Sequence, residues 1–163
     1  MALSRIARNR MLARFAQGPA AVKRALARIP PEARKWRPGP GTWSAHEVVW
    51  HCADAERNTA ARIRYLAAED APLIVSYDEA AWALKLDYHR LPLAPALAEM
   101  TLVRANTLIL LRQLPEAAWR KEGFHTKHGR FTPEDWLRYY SEHLQMHARQ
   151  ILRNLAAWKA RVP

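Results

Sequence analysis

The chain has 163 residues, 26 Lys or Arg against 15 Asp or Glu, a formal net charge of +11, and a single cysteine, Cys52. This length suits one domain with one core. One cysteine excludes an intrachain disulfide, so nothing points to an oxidising compartment and the expected setting is cytoplasmic. No apolar run approaches the roughly 18 residues that span a bilayer, which gives the expectation of a soluble protein without a membrane span.

The positive charge is uneven. Residues 1–41 hold ten Lys or Arg and one acid, Glu32, whereas the other 122 residues hold 16 basic and 14 acidic side chains. The stretch MALSRIARNRMLARF, with Arg5, Arg8, Arg10 and Arg14 and no acid, resembles a transit peptide in composition and could meet an anionic surface. A charge run is ordinarily a solvated face, so nucleic-acid or anionic-surface binding through this segment stands as a minor alternative. Half of the residues are apolar and glycine is scarce, with five copies. Ala, Leu and Arg dominate, and these residues lose little freedom in a helix, so the class is all-α.

Along the chain, Gln17-Gly18-Pro19 is predicted to interrupt the first helix, because Pro is tolerated at a helix start and not inside one. That break divides a basic N-terminal arm or helix, residues 1–17, from a domain of residues 18–163. Val22, Leu26 and Ile29 recur at helical spacing until Pro30-Pro31. The alternating Pro and Gly of RPGPGTW, Arg37 to Trp43, make a loop. Ser44 and Glu47 then fit a capping box, starting a helix that runs to about Ala68. Glu69 to Tyr77 is a connection, and Asp78 and Glu79 stand near the start of a short helix carrying Trp82 and Leu86. After the break at Leu91-Pro92-Leu93-Ala94-Pro95, the stripe Leu97, Met100, Val103, Thr107, Leu110 and Leu114 predicts a helix over 96–114. Gly123 to Phe131 reads as a loop or small hairpin, with Gly129 available for a positive φ. Thr132-Pro133-Glu134-Asp135 starts the last helix, which reaches about Lys159. Four main helices with short additions make a four-helix bundle, a fold whose metal sites are built from facing core positions.

The last helix contains EHLQMHARQI. His143 and His147, four residues apart, are rotated by about 40° and leave one helix face a turn apart. Trp136, Tyr140, Leu144, Ile151, Leu155 and Trp158 mark the apolar stripe, and the two histidines lie on its flank, facing inward. An inward neutral imidazole needs a hydrogen-bond partner or a metal. An H-x-x-x-H pair is common in a chain with seven histidines, so the pair alone is weak. His51, in VVWHCAD of the second helix, is the best third nitrogen. Three histidines from two helices would leave open positions on a divalent ion, as catalytic sites do, and such an ion can activate water or a thiol.

Three segments together, WSAHEVVWHCADAE (43–56), SYDEAAW (76–82) and HTKHGRFTPEDWLRYYSEHLQMHARQI (125–151), resemble the DinB/YfiT-like superfamily and its DinB_2 branch. The similarity extends over about residues 20–158. The resemblance implies an up-down-down-up type four-helix bundle with a divalent metal, Zn or Ni, held by His51, His143 and His147. It further implies a homodimer, a small-molecule substrate, and water or low-molecular-weight thiol activation, as in a hydrolase or thiol transferase. A non-catalytic stress-response or binding module with a structural metal is the alternative.

Other residues carry two readings each. Glu47 is a capping residue or a group supporting the site. Gln150 bonds a ligand, a histidine or a structural neighbour. His125 and His128 line the mouth of the site or lie in an exposed loop. Trp43, Trp82 and Trp136 match family positions and could close the pocket, His46 and His89 read as surface residues, and Cys52 as a small core residue.

Overall fold

A computed structural model of the chain describes residues 3–161. Helix α1 spans Arg5–Ala27, α2 Ala45–Ala68, the short α3 Glu79–Lys85, α4 Leu93–Gln113 and α5 Pro133–Ala160. Local signals set several of their starts. Ser44 and Glu47 close a reciprocal capping box at α2, and Thr132 and Asp135 close another at α5, where Pro133 occupies the first position. The four long helices form the bundle, α1 against α5 and α4, and α2 against α4 and α5. The all-α four-helix bundle expected from composition is the observed fold.

A small sheet flanks the bundle in the order β1-β2-β3, with β1 Leu73–Ile74, β2 Gly123–His125 and β3 Gly129–Phe131. β2 and β3 form the anticipated hairpin, and Gly129 takes φ +73° at its turn. β1 was not foreseen. Its parallel register, Leu73 opposite Phe124 and Ile74 opposite His125, ties the connection after α2 to the hairpin and fixes His125 in place.

The helix break at Gln17-Gly18-Pro19 does not occur. α1 runs straight through Pro19. Proline has no N–H to give the carbonyl four residues earlier, and that carbonyl, of Phe15, instead accepts from Arg104 Nη1 at 3.2 Å. Gly18 is equally specific to its setting: a Cβ there would stand 2.9 Å from the Leu144 Cβ, so the missing side chain lets α1 lie close on α5. Helix α1 therefore continues past residue 17, and Leu12 and Phe15 belong to the core. Met1 and Ala2 of the expected arm lie outside the described residues. α4 likewise begins before Ala96, because Pro95 falls in its first turn, where no N–H is missed.

Arg104 joins all four long helices. From α4 it makes a bidentate ion pair with Glu56 of α2, donates to the Phe15 carbonyl of α1 and to the Tyr140 carbonyl of α5, and lies 3.7 Å from the Phe15 ring centroid. Both charged side chains are at most 2% exposed. α4 is also the one described helix long and apolar enough to cross a membrane by length and composition. In the bundle it turns Arg104 inward.

Two surface assignments are corrected by the fold. His46 is buried, its Nε2 2.8 Å from the Leu91 carbonyl, because the turn around Tyr88–Arg90 folds over the start of α2. His89 belongs to the same turn and is only partly exposed, with Nε2 2.8 Å from Ser44 Oγ. Cys52 is fully buried, and burial pushes its thiol well above the ordinary range, which leaves it an inert core residue.

Candidate metal centre

Helical spacing places His143 and His147 on one face of α5, and His51 meets them from α2. His51 Nε2 stands 3.1 Å from His147 Nε2, and His147 Nε2 stands 3.2 Å from His143 Nε2. All three side chains are buried, and one nitrogen from each lies within 4.8 Å of the others. Two nitrogens bound tetrahedrally to one zinc-sized ion, each about 2.1 Å from it, stand about 3.4 Å apart. The spacing in the cluster is that of a ligand set.

The donor chemistry agrees with this spacing. His147 Nδ1 lies 2.8 Å from Gln150 Oε1, which can only accept, so Nδ1 carries the proton and Nε2 presents its lone pair to the cluster. The Nδ1 atoms of His51 and His143 are buried without a hydrogen-bond partner. Burial, followed by the neighbouring His147, pushes the His51 pKa down to about 3. Burial also lowers His143 well below its ordinary value and lowers His147. Burial thus favours the neutral rings, each of which has a lone pair that can be turned to the cluster. A cation satisfies them, so the residues present fit a divalent metal.

The residues around the triad divide by role. Trp43 packs on His51 with ring centroids 4.7 Å apart. Gln150 orients His147, one of the readings open to it. Glu47 serves the capping box: its carboxylate accepts from the Ser44 amide and hydroxyl, both at 2.9 Å, and from Arg37. Trp136 is a core residue packed on Phe15 and Tyr140, its Nε1 donating to the Thr59 carbonyl at 3.1 Å, and it does not line the pocket. Trp82 packs at a tilt on Tyr77, with ring centroids 4.4 Å apart, and does not line the cavity beside the cluster.

A cavity of about 410 Å³ opens beside the cluster, lined among others by Arg62, Tyr77, Glu79, His125, Lys127 and His143. His125, at the end of β2, and His128, in the hairpin turn, both line it. His125 is buried, its Nδ1 accepting from the Lys127 amide at 3.1 Å, whereas His128 is exposed. Burial lowers the His125 pKa, with Arg62 adding to the effect.

Glu79 is the residue that sequence reasoning placed only at a helix start. Its Oε2 lies 4.0 Å from His51 Nε2, and burial raises its carboxyl above the ordinary value. Its position in the first turn of α3, within SYDEAAW, was the available signal. Arg62 and Tyr77 were also passed over, because nothing local to either marks it as facing the histidines.

Fold and site together define a four-helix-bundle protein with a buried three-histidine cluster at the end of an open cavity. Residues 14–151 match the model of the DinB superfamily. The chain belongs to that superfamily. It is 32% identical over 81 residues to a Geobacillus thermodenitrificans protein named "Putative metal-dependent hydrolase", the match covering 50% of this chain and 46% of that protein. An Oceanobacillus iheyensis protein of the same naming is 28% identical over 111 residues, covering 68% of this chain and 64% of that protein. The chain thus spans about half to two thirds of these curated relatives. Among solved structures, YfiT from Bacillus subtilis, described as having an unusual four-helix bundle topology, superposes with a TM-score of 0.85 at 24% identity, over 95% of this chain and 91% of that one. The mycothiol-dependent maleylpyruvate isomerase gives a TM-score of 0.70 at 16% identity, over 88% and 60%. At these identities the two structures share the fold.

Proposed function

We propose that the protein is a metal-dependent hydrolase in which His51, His143 and His147 hold one divalent ion, Zn or Ni, and the cavity admits a small-molecule substrate. The observation that carries this reading is the convergence of three neutral, buried imidazole nitrogens at ligand spacing beside that cavity. The names of the curated relatives support the same reaction class. An ion held by three imidazoles activates water for attack and polarises a carbonyl. The chain's own residues do the rest: Gln150 fixes the His147 tautomer, Trp43 shields His51, and Glu79 sets a carboxylate beside the cluster.

A second reading, activation of a low-molecular-weight thiol, draws on the thiol-dependent isomerase that shares this fold. A shared screen of esters, amides and thiol acceptors separates the two.

Elemental analysis of untagged protein tests the centre. The expected content is on the order of one ion per chain, removed by His143→Ala while the fold persists. Less than about a tenth of an ion per chain, unchanged by that substitution, rules the centre out. A metal that is purely structural would instead leave the His51→Ala/His143→Ala/His147→Ala protein unfolded.

A further inference from the structure

Several arginines of this basic chain are held in ion pairs. Arg8 pairs with Glu116, Arg37 with Glu47, Arg57 with Asp54 and Glu99, Arg104 with Glu56 and Arg130 with Glu122. Arg62 is different. Its Nη1 donates to the Tyr140 hydroxyl at 3.0 Å and its Nη2 to the Val75 carbonyl at 2.7 Å, and among the described residues no carboxylate reaches ion-pair distance of it. Two bonds to fixed neutral groups position the guanidinium without discharging it, and three of its five N–H donors stay available.

Tyr77 adds a second, independent feature. It lines the same cavity, its ring centroid is 5.6 Å from the Arg62 Cζ, and its hydroxyl oxygen is buried with no hydrogen-bond partner. Such a group is costly to leave unmade, and a buried polar orphan in a native fold asks for an explanation. The two acids of the lining do not supply it. Asp78 caps α3 by accepting from the Ala81 amide at 2.9 Å, and Glu79 lies beside His51. Lys127, also on the lining, makes no ion pair among the described residues and adds a second cation.

We propose that Arg62 and Tyr77 form an anion-binding subsite in the cavity that ends on His143, so that the substrate is a small molecule bearing a carboxylate. One planar guanidinium edge and one O–H match two carboxylate oxygens, whereas a phosphate dianion calls for more donors than this pair offers. Tyr139 and Phe131 give the remainder of such a molecule an aromatic wall. This assignment rests on the hydrolase reading for where the reaction occurs, and not for the binding itself.

The test is calorimetric, on the full chain stripped of metal by a chelator that is then removed, at low ionic strength. Benzoate is compared with its neutral isostere benzamide and with inorganic phosphate. Benzoate should bind at least about tenfold more tightly than benzamide, and Arg62→Gln should erase that preference. Tyr77→Phe should weaken benzoate by about fivefold, and Lys159→Gln, at an exposed cation far along α5, should change nothing. Equal binding of benzoate and benzamide overturns the subsite, as does a loss in Lys159→Gln as large as that in Arg62→Gln. Phosphate binding more tightly than benzoate overturns the carboxylate class. If Arg62→Gln does not fold, Tyr77→Phe, which removes one unpaired oxygen, decides alone. Because the protein is metal-free throughout, failure of the subsite and failure of the metal centre are read separately.

Discussion

Gln150 and His147, one turn apart on α5, share a 2.8 Å hydrogen bond from Nδ1–H to Oε1, and that bond points the opposite ring nitrogen into the cluster. Partners of this kind raise a histidine's readiness to hold metal. Gln150→Leu should therefore lower metal affinity by about 10–100-fold while the metal-free protein melts near the parent temperature. Competition with a chromophoric chelator measures the first, and a thermal melt in chelator the second.

Glu47 sets an acid limit on stability. Burial pushes its carboxyl up, but the Arg37 guanidinium with the amide and hydroxyl of Ser44 outweighs it and takes the pKa from 4.5 down to about 2. A folded-state pKa below the unfolded one stabilises the fold above pH 4.5, and that stabilisation is lost as the pH falls from there towards 2. Its size is on the order of 2–3 kcal/mol, allowing for the half-exposed Arg37. Denaturant unfolding between pH 7 and pH 2 should show this loss in the parent and a flatter acid limb in Glu47→Gln.

The Arg104–Glu56 pair should behave as a buried charge pair does. Arg104→Met strands a buried carboxylate and should cost about 3–5 kcal/mol. Arg104→Met combined with Glu56→Gln should recover part of that, although the Phe15 carbonyl stays without its donor. A double-mutant cycle by denaturant unfolding gives the coupling.

Gly18→Ala should destabilise the bundle by about 1–3 kcal/mol, since the added carbon collides with the Leu144 side chain. Leu144 adjoins His143, so the same variant should also weaken metal binding. Shortening Leu144 to Ala beside Gly18→Ala should show non-additive unfolding energies.

What could be read in the sequence was whatever is encoded locally. Ser44 with Glu47, and Thr132 with Pro133 and Asp135, announce their helices within four residues, and the i, i+4 spacing of His143 and His147 sets their common face. His51 came from the face it shares with apolar neighbours. The misread residues depend on distant partners. Pro19 is a helix breaker unless Arg104 arrives, His46 is a surface residue unless the Tyr88–Arg90 turn covers it, and Arg62 is an ordinary helix cation until the Val75 carbonyl and Tyr140 bind it. Glu79 reaches the histidines only because α3 packs on α2, a contact with no periodic trace.

Pro19 also ties α1 to the rest of the bundle. The carbonyl of Phe15, left without its helical donor by Pro19, is met in the fold by a side chain 89 positions away. Cut free as a peptide, residues 5–27 should fray around that point. Within the folded chain, α4 supplies the donor that α1 lacks, through Arg104. The same side chain makes the charge pair with α2 and the contact with α5. The helix that the basic segment builds thus leans on the rest of the bundle at its proline, where a partner helix closes the gap in its own hydrogen bonding.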